Sequence, residues 1–242
     1  MVDPIFADPR LAEVYDPLDP DRSDLEPYAA LVDEVGARAV LDIGCGTGTF
    51  ACLLADRGVA VTALDPAAAS IAVARRKPAA ELVEWVVGDV STLPPLAVDL
   101  VTMTANVAQV FGTDAEWTAT LHAARHALRP GGRLAFESRD PARRAWEEWD
   151  RERSYTSAVV PGIGPVETWV EVLAVRGDLV SFRWTFVFGS DGAVLTSDST
   201  LRFRTRAELV GSVTAAGLVV DDVRDAPDRP GRELVVIAHR PD

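Results

Sequence analysis

Three glycines at alternate positions mark the part of the chain best suited to hold a ligand. Gly44, Gly46 and Gly48 follow the apolar run 39–43, and helix-forming residues follow over 50–57. This pattern predicts a buried parallel strand, a glycine turn and a helix. Glycine is required where the backbone takes a positive φ, or where a ligand approaches a main chain free of side chains.

The spacing of the glycines restricts the ligand. A dinucleotide fingerprint has the form G-x-G-x-x-G, but here the third glycine comes one residue early and Thr49 stands in its place. A phosphate P-loop is excluded because no Gly-Lys-Ser/Thr follows. Asp42 precedes the turn, and the adjacent sequence holds no Lys or Arg that would bind a phosphate. The turn therefore suits a ligand that is cationic or zwitterionic at this end.

The same stretch resembles a known family. The D-x-G-x-G-x-G pattern within 40–48 resembles the first motif of the class I S-adenosylmethionine-dependent methyltransferases, although a generic strand-to-helix turn is the alternative. Leu128-Arg-Pro-Gly-Gly before the fifth predicted strand matches the family as well. The resemblance covers most of the chain. It implies an α/β, Rossmann-like, seven-stranded and mostly parallel sheet, with a small antiparallel β insertion after the fifth strand.

The chain divides into three parts on this interpretation. Residues 1–38 are expected to form an N-terminal arm and helix, and residues 39–141 with 205–242 the S-adenosylmethionine-binding core. Residues 142–204 are expected to form a helix followed by antiparallel strands over 166–176, 179–188 and 193–203. This insertion would be a lid or a dimer interface.

The resemblance also implies which residues contact the cofactor. Asp65 ends the second strand, where a carboxylate accepts hydrogen bonds from ribose hydroxyls; its alternative is a helix N-cap. Asp89 and Val90 would meet the adenine, or Asp89 would only form a turn. Tyr15 would fold over the cofactor, or only anchor the arm. The full predicted set is Tyr15, Asp42, Gly44, Cys45, Gly46, Gly48, Asp65, Pro66, Asp89, Val90 and Thr104.

Three residues are predicted to face the substrate. Asn106 lies in a stretch that resembles the Leu-Gly-Asn-Ser sequence of glycine and small-molecule N-methyltransferases, and would orient a nucleophile or cap the following helix. Arg139 leaves the fifth strand at its carboxyl end, beside Glu137, and would bind a substrate anion or pair with a neighbouring acid. Trp146 would line the pocket or pack. The Asn/Asp-Pro-Pro-Tyr/Phe signature is absent, which disfavours nucleobase and amide targets.

Composition narrows the classes of function. A net charge of −13 over 242 residues argues against nucleic-acid binding. Two cysteines, no secretory segment and no long apolar run predict a reduced cytoplasmic protein with no membrane span. His122 and His126 lie four apart on a predicted helix, where a solvated face is favoured over a metal site; no metal is expected.

The predicted function is methyl transfer from S-adenosylmethionine to a small-molecule N or O nucleophile, with S-adenosylhomocysteine as product. An in-line displacement mainly requires that the nucleophile be placed close to the methyl carbon. The absence of a catalytic triad from the sequence is therefore compatible with methyl transfer, and the residues do not single out a general base. A non-catalytic cofactor-binding protein and an aminopropyl transferase on the same fold are the alternatives. A monomer and a homodimer both fit.

Overall fold

The computed structural model describes residues 2–242, which form two sheets. Sheet A has seven strands in the spatial order β10-β11-β5-β4-β1-β2-β3. Its first five strands in sequence are parallel, while β11 lies antiparallel to both β5 and β10. The bounds are β1 Ala39–Ile43, β2 Ala60–Asp65, β3 Val83–Val87, β4 Val98–Met103, β5 Leu128–Arg139, β10 Val219–Asp225 and β11 Glu233–His239. The predicted seven-stranded α/β fold and its antiparallel edge pair are confirmed.

Helices cover both faces of sheet A. Along β1 and β5 alternate side chains point to opposite faces, so each face has its own apolar core. On one face Trp117, Leu121 and Ala124 of α6 are buried. On the other, α3 and α4 pack through Tyr28 and Phe50. The helices are α1 Pro4–Ala7, α2 Pro9–Leu18, α3 Glu26–Val35, α4 Thr49–Asp56, α5 Ala68–Ala74, α6 Asp114–Ala127, α7 Arg151–Ser154 and α8 Arg206–Ala215.

Sheet B is the antiparallel insertion. It comprises β6 Thr156–Val160, β7 Gly164–Arg176, β8 Leu179–Phe188 and β9 Val194–Arg202, paired in that order. The three predicted strands and their short connections are confirmed, whereas β6 was not predicted. β6 is largely exposed, so it lacks the alternation of apolar and polar residues that identifies β8.

The helix predicted at the start of the insertion is wrong as a continuous element. The chain forms 3₁₀ turns at Pro141–Arg143 and Ala145–Glu148, and then the short α7. Arg144 takes a φ of 47°, in the left-handed region, and this interrupts the helix. In place of the four-apart ion pairs that a continuous helix would allow, Arg144 pairs with Glu147 and Glu148 pairs with Arg232.

The N-terminal arm begins with two helices, α1 and α2. Pro4 and Pro9 each occupy the first position of a helix, where a missing N–H costs nothing, and the Asp8 side chain caps α2. The two helices pack on the inner face of sheet B. Their shared apolar core contains Ile5, Leu11, Val14, Val160, Val166, Phe186 and Phe188. The predicted helix near the end of the arm is confirmed as α3.

Candidate functional site

The glycine turn is bent tightly against the sheet. Gly44, Gly46 and Gly48 have φ of 74°, 54° and 75°, all in the left-handed region. The N–H groups of Gly44 and Cys45 both donate to the carbonyl of Leu64, at 2.8 and 3.1 Å. These bonds hold the turn over the end of β2.

The three glycines have different surroundings. A Cβ on Gly44 would lie 2.6 Å from the methyl groups of Val107, and a Cβ on Gly48 would collide with Trp85. A Cβ on Gly46 would meet no heavy atom of residues 2–242 within 4 Å. Gly44 and Gly48 therefore allow close packing inside the protein. Gly46 leaves backbone accessible to a ligand.

Asp42 lies beneath the turn with one oxygen unused. Its side chain is 1% exposed, and Oδ1 accepts a hydrogen bond from Thr102 at 2.9 Å. Oδ2 is buried and accepts no hydrogen bond from any described residue. Burial raises the pKa of this carboxyl to about 7, against the Thr102 bond, which lowers it. A buried acceptor without a partner is costly, and a cationic ligand would supply the missing donor.

Asp65 joins the turn to the next helix. Its Oδ2 accepts from the N–H of Gly46 and its Oδ1 from the N–H of Ala67, each at 2.8 Å. The second bond is the capping interaction expected as the alternative role. Each carboxylate oxygen has two acceptor sites, so these two bonds leave capacity for a ribose hydroxyl. Burial raises the pKa of Asp65, and the two backbone bonds lower it.

The fold brings a cation to the turn that the sequence did not reveal. Lys77 Nζ lies 3.3 Å from Thr47 Oγ1 and 2.7 Å from Asp16 Oδ2, and it also contacts Thr49 Oγ1. Thr47 Oγ1 donates to Asp16 Oδ1 at 2.7 Å. The expectation that no cation lies near the turn is therefore corrected. Because Asp16 neutralises it, Lys77 holds α2 against the turn and is not a free phosphate ligand.

Tyr15 lies on α2 beside this contact. Its ring packs against Phe6 at a centroid distance of 5.8 Å. Burial raises the pKa of Tyr15, while the charges of Arg22 and Arg139 lower it. The ring contact with Phe6 fits the alternative role of anchoring the arm, and a position over the cofactor stays a prediction.

Asp89 and Val90 follow β3 near the edge of sheet A. Asp89 is exposed, and its Oδ1 accepts from the Ser91 hydroxyl at 2.5 Å and from the Ser91 N–H at 2.9 Å. These bonds form the predicted turn and lower the pKa of this carboxyl. Val90 is half-buried against the core, and Pro66 is exposed after β2. The adenine contacts assigned to this region stay a prediction.

The loop after β4 lies directly on the glycine turn. Val107 occupies the space that a Cβ on Gly44 would need. Ala105 and Asn106 both take left-handed φ, of 53° and 60°, and the carbonyl of Thr104 accepts from the Val107 N–H at 3.3 Å. These dihedrals are uncommon for residues with a side chain and identify a strained segment beside the turn.

Asn106 is held by two buried carboxylates. Its backbone N–H donates to Glu137 Oε1 and its Nδ2 to Glu233 Oε2, both at 3.1 Å. Tyr28 donates its hydroxyl to the other oxygen of Glu137. The Asn106 side chain makes no capping hydrogen bond to residues 2–242, so the alternative of a helix cap is wrong.

The Arg139 side chain is already paired with other side chains of the protein. Its Nη1 donates to Gln109 Oε1 at 3.1 Å, its Nε lies 3.6 Å from Glu233 Oε1, and the guanidinium lies over the ring of Trp149. Burial lowers the pKa of Arg139, opposed mainly by Glu233. Arg139 therefore pairs with a neighbouring acid, Glu233, which is the predicted alternative to binding a substrate anion.

Trp146 and Trp149 pack against phenylalanine side chains in and next to sheet B. Trp146 meets Phe203 edge-on at 4.6 Å, and Trp149 meets Phe182 of β8 at 4.8 Å. They connect the 3₁₀ turns to sheet B. Trp146 is half-buried, so part of its ring is available to line a cleft.

Glu233 and Tyr28 were missed as site residues by the sequence analysis. Glu233 lies at the start of β11, opposite Arg139 in the strand register. Because β11 is antiparallel, its first residue reaches the carboxyl edge of the parallel strands. A charged residue next to the apolar run 234–238 was the available signal. Tyr28 has no comparable signal, since it lies in an ordinary amphipathic helix.

The residues around the glycine turn fit S-adenosylmethionine. The unused Asp42 Oδ2 suits a cationic amino group, the open space at Gly46 suits a ligand against the backbone, and Asp65 keeps lone pairs for hydroxyls. A polyphosphate fits poorly because Lys77 is already paired. No cluster of three or more His, Cys, Asp or Glu side chains able to hold a metal ion occurs in the described part of the chain.

His122 and His126 are exposed on α6, where His126 Nδ1 contacts the carbonyl of His122. Within residues 2–242, no helix combines the length and apolar character needed to cross a bilayer.

Comparison with known proteins agrees with this geometry. Residues 40–132 match the family described as "Methyltransferase domain". The chain is 35% identical over 149 residues to the cypemycin N-terminal methyltransferase of a Streptomyces species, covering 59% of this chain and 60% of that protein. It is 34% identical over 155 residues to the malonyl-[acyl-carrier protein] O-methyltransferase of Serratia marcescens, covering 55% of this chain and 56% of that protein. The matches thus span less than two thirds of these relatives' lengths.

A solved structure extends the likeness to the whole chain. An S-adenosylmethionine-dependent methyltransferase from Clostridium acetobutylicum superposes with a TM-score of 0.74 at 16% identity, covering 96% of this chain and 98% of that one. The fold is that of the class I S-adenosylmethionine-dependent methyltransferases. Within it, residues 40–132 are the part that matches the methyltransferase-domain family.

Proposed function

We propose that this protein transfers the methyl group of S-adenosylmethionine to a small-molecule acceptor. The observation that carries the proposal is the buried Asp42 Oδ2, left without a donor from residues 2–242 directly beneath a backbone turn that is open at Gly46. An amino-acid end with a cationic amino group satisfies that oxygen, whereas a dinucleotide or a polyphosphate does not.

Methyl transfer depends mainly on how the acceptor is positioned relative to the methyl group. S-adenosylmethionine supplies a methyl group already activated by its sulfonium. The chain's contribution is to hold the acceptor in line with the bond that breaks and to exclude water. The loop 104–109 is suited to this task because Val107 lies against the glycine turn and Asn106 is clamped beside it.

The roles that we propose combine the family resemblance with these positions. Asp42, Cys45 and the backbone at Gly46 bind the amino-acid end, while Gly44 and Gly48 let the turn pack closely on the protein. Asp65 with Pro66 binds the ribose. Asp89 and Val90 bind the adenine, while Tyr15 and Thr104 line the cofactor near its sulfur. Asn106 and Trp146 face the acceptor. Arg139 contributes by holding Glu233 and stacking on Trp149, rather than by meeting a free substrate anion.

The acceptor nucleophile is nitrogen or oxygen. Two of the relatives are named as an N-terminal methyltransferase and an O-methyltransferase. Sheet B, joined to α1 and α2 through one apolar core, serves as the lid over the acceptor or as the surface of a homodimer. We place the protein in the cytoplasm without a nucleic-acid partner, given its net charge of −13.

Calorimetry with S-adenosylhomocysteine tests the proposal. Saturable binding with a Kd in the micromolar range is expected, and loss of that binding in Asp42→Leu, with folding retained, would support the turn assignment. Absence of any heat from either S-adenosylmethionine or S-adenosylhomocysteine refutes the proposal. Tighter binding of decarboxylated S-adenosylmethionine would favour the aminopropyl transferase instead. Binding without transfer across an amine and alcohol panel would favour a sensor.

A further inference from the structure

The side-chain amide of Asn106 has a forced orientation. Its Nδ2 lies 3.1 Å from Glu233 Oε2, and a carboxylate only accepts hydrogen bonds. Reversing the amide would place Oδ1 against that carboxylate, with two acceptors facing each other. The nitrogen therefore faces Glu233, and the oxygen faces away from it.

The orienting carboxylate is itself held in place. Arg229 Nη1 donates to Glu233 Oε1 at 2.8 Å, and Arg139 approaches the same oxygen. On the other side, Glu137 accepts the Asn106 backbone N–H and the Tyr28 hydroxyl. The backbone and the side chain of Asn106 are thus each fixed by a separate buried carboxylate.

The oxygen that faces away has no partner. Asn106 is 3% exposed, and its Oδ1 receives no hydrogen bond from any group between residues 2 and 242. Leaving a buried amide oxygen unpaired is unfavourable, so a site that fixes it this way is built for an incoming donor. The neighbouring residue Val107 contacts Gly44, so this acceptor stands next to the cofactor turn.

We propose that Asn106 Oδ1 accepts a hydrogen bond from the methyl acceptor itself, and that the substrate therefore carries a hydrogen on its nucleophilic atom. Amines with an N–H and alcohols belong to this class. Carboxylates and thioethers do not, because they offer no hydrogen to Oδ1. A carboxylate would also be repelled by the negative charges of Glu137 and Glu233. Glu233 is a positioning residue that sets the amide's orientation. This inference rests on the proposed function.

Bisubstrate analogues test the inference without a known substrate. The probes replace the sulfur of S-adenosylhomocysteine by nitrogen and add a two- or three-carbon arm that ends in hydroxyl, amine, methyl or carboxylate. Calorimetry is expected to show the hydroxyl and amine arms binding about tenfold more tightly than the methyl arm, and the carboxylate arm binding more weakly. The neutral hydroxyl arm separates the hydrogen bond from charge attraction.

Replacing Asn106 tests whether this residue causes the preference for the hydroxyl arm. In Asn106→Ala, the preference for the hydroxyl arm over the methyl arm is expected to fall to less than twofold. S-adenosylhomocysteine affinity and the melting temperature are measured in parallel to show that the variant is folded. If S-adenosylhomocysteine binds but the four arms bind alike, or the carboxylate arm binds best, the inference is overturned while the proposed function stands. Failure of S-adenosylhomocysteine itself to bind refutes both.

Glu233→Gln tests the positioning role, because glutamine can face either end of the Asn106 amide. The Asn106 side-chain NH₂ signals in a ¹H–¹⁵N spectrum, identified by their disappearance in Asn106→Ala, are expected to shift, and the hydroxyl-arm preference is expected to weaken several-fold. A Glu233→Gln protein with unchanged Asn106 signals and an unchanged preference contradicts the assignment.

Discussion

The amide nitrogen of Gly46 lies 2.8 Å from Oδ2 of Asp65, and this contact ties the middle of the glycine turn to the end of the neighbouring strand. The other oxygen of the same carboxylate accepts from the N–H of Ala67 at the start of α5. One side chain therefore positions the turn, the strand end and the helix start at the same time.

Asp65→Ala is expected to weaken the fold and the cofactor site together. Two backbone hydrogen bonds to a charged group are lost, so the free energy of unfolding should fall by about 3 kcal/mol. S-adenosylhomocysteine affinity should fall at least tenfold. Urea unfolding and calorimetry measure the two effects. Asp33→Ala, an exposed position on α3, is the control; equal behaviour of the two variants would remove Asp65 from the site.

The glycines at 46 and 48 should respond differently to alanine. At Gly48 a Cβ collides with Trp85 and lies 2.7 Å from the Cβ of Ala74, at a φ of 75°. Overpacking and the left-handed backbone should together destabilise Gly48→Ala by about 2–4 kcal/mol.

Gly46→Ala meets no such crowding within residues 2–242, so its stability loss should stay near about 1 kcal/mol. Its methyl group would enter the space assigned to the cofactor, so S-adenosylhomocysteine affinity should fall while the fold persists. Urea denaturation followed by tryptophan fluorescence, with calorimetry, separates the two variants. Unimpaired binding by Gly46→Ala would show that the ligand does not approach this backbone.

Asp42 should make stability depend on pH. Burial raises its pKa to about 7 in the folded protein, against an ordinary value near 4 in the unfolded chain. Between about pH 4 and about pH 7, Asp42 therefore keeps its proton in the folded protein but has lost it in the unfolded chain. The contribution of Asp42 to the free energy of unfolding must then fall as pH rises from about 4 to about 7.

Asp42→Asn removes this titration. Relative to the unmodified protein, the variant should gain about 3 kcal/mol in the free energy of unfolding on going from pH 5 to pH 8, because the Asp42 effect accumulates over the roughly two pH units between 5 and its folded-state pKa. Urea unfolding at the two pH values measures the difference, with Asp33→Asn as the control. A pH-independent difference would mean that Asp42 ionises normally in the folded protein.

Tyr28→Phe removes the hydroxyl that stabilises the buried Glu137 carboxylate. Burial already raises the pKa of Glu137, whereas the Tyr28 bond lowers it, so the variant should raise this pKa further. The destabilisation should reach about 1–3 kcal/mol at pH 8 and shrink as the pH is lowered toward 5, because a protonated Glu137 depends less on the Tyr28 hydroxyl. Denaturation at both pH values, compared with the exposed Tyr155→Phe, provides the measurement. A larger effect at pH 5 would contradict this account.

The contact between α2 and the glycine turn should control access to the cofactor site. Asp16 meets both Thr47 and Lys77, so Asp16→Ala should free the arm. Faster tryptic cleavage at Arg22 and a several-fold loss of S-adenosylhomocysteine affinity are expected. The more exposed Glu13–Arg76 pair offers the control, since Glu13→Ala removes an ion pair of little energy. Cleavage at equal rates in both variants would rule out this role for Asp16.

Much of the fold follows from local pattern. The alternation of large apolar residues from Val180 to Phe188 was sufficient to predict β8, because one face of that strand is buried and the other is not. The glycine turn was predictable because positive φ strongly restricts residue type. Elements without such constraints, such as the exposed β6, left no comparable signal.

The polar cluster around Asn106 was not predictable, because it depends on tertiary register. Glu233 is 127 residues from Asn106 in sequence and reaches it only because β11 pairs with β5 so that Glu233 faces Arg139. The commitment of Arg139 to Glu233 has the same origin. Likewise, Lys77 reaches Thr47 only through the packing of α2 and α5 on the turn. Sequence pattern identified the edge of the sheet where the site lies, but not the partners of its charges.

The mixed apolar core of the arm and sheet B has a consequence for engineering. Ile5, Leu11 and Val14 supply one side of that core, and Val166 and Phe188 the other. A chimaera that transplants the four-stranded insertion into a related scaffold would therefore expose these aromatic and aliphatic groups unless residues 4–18 travel with it. Chimaeras built on this chain should move residues 4–18 and the strands of sheet B as a single cassette, although the two segments lie far apart in the sequence.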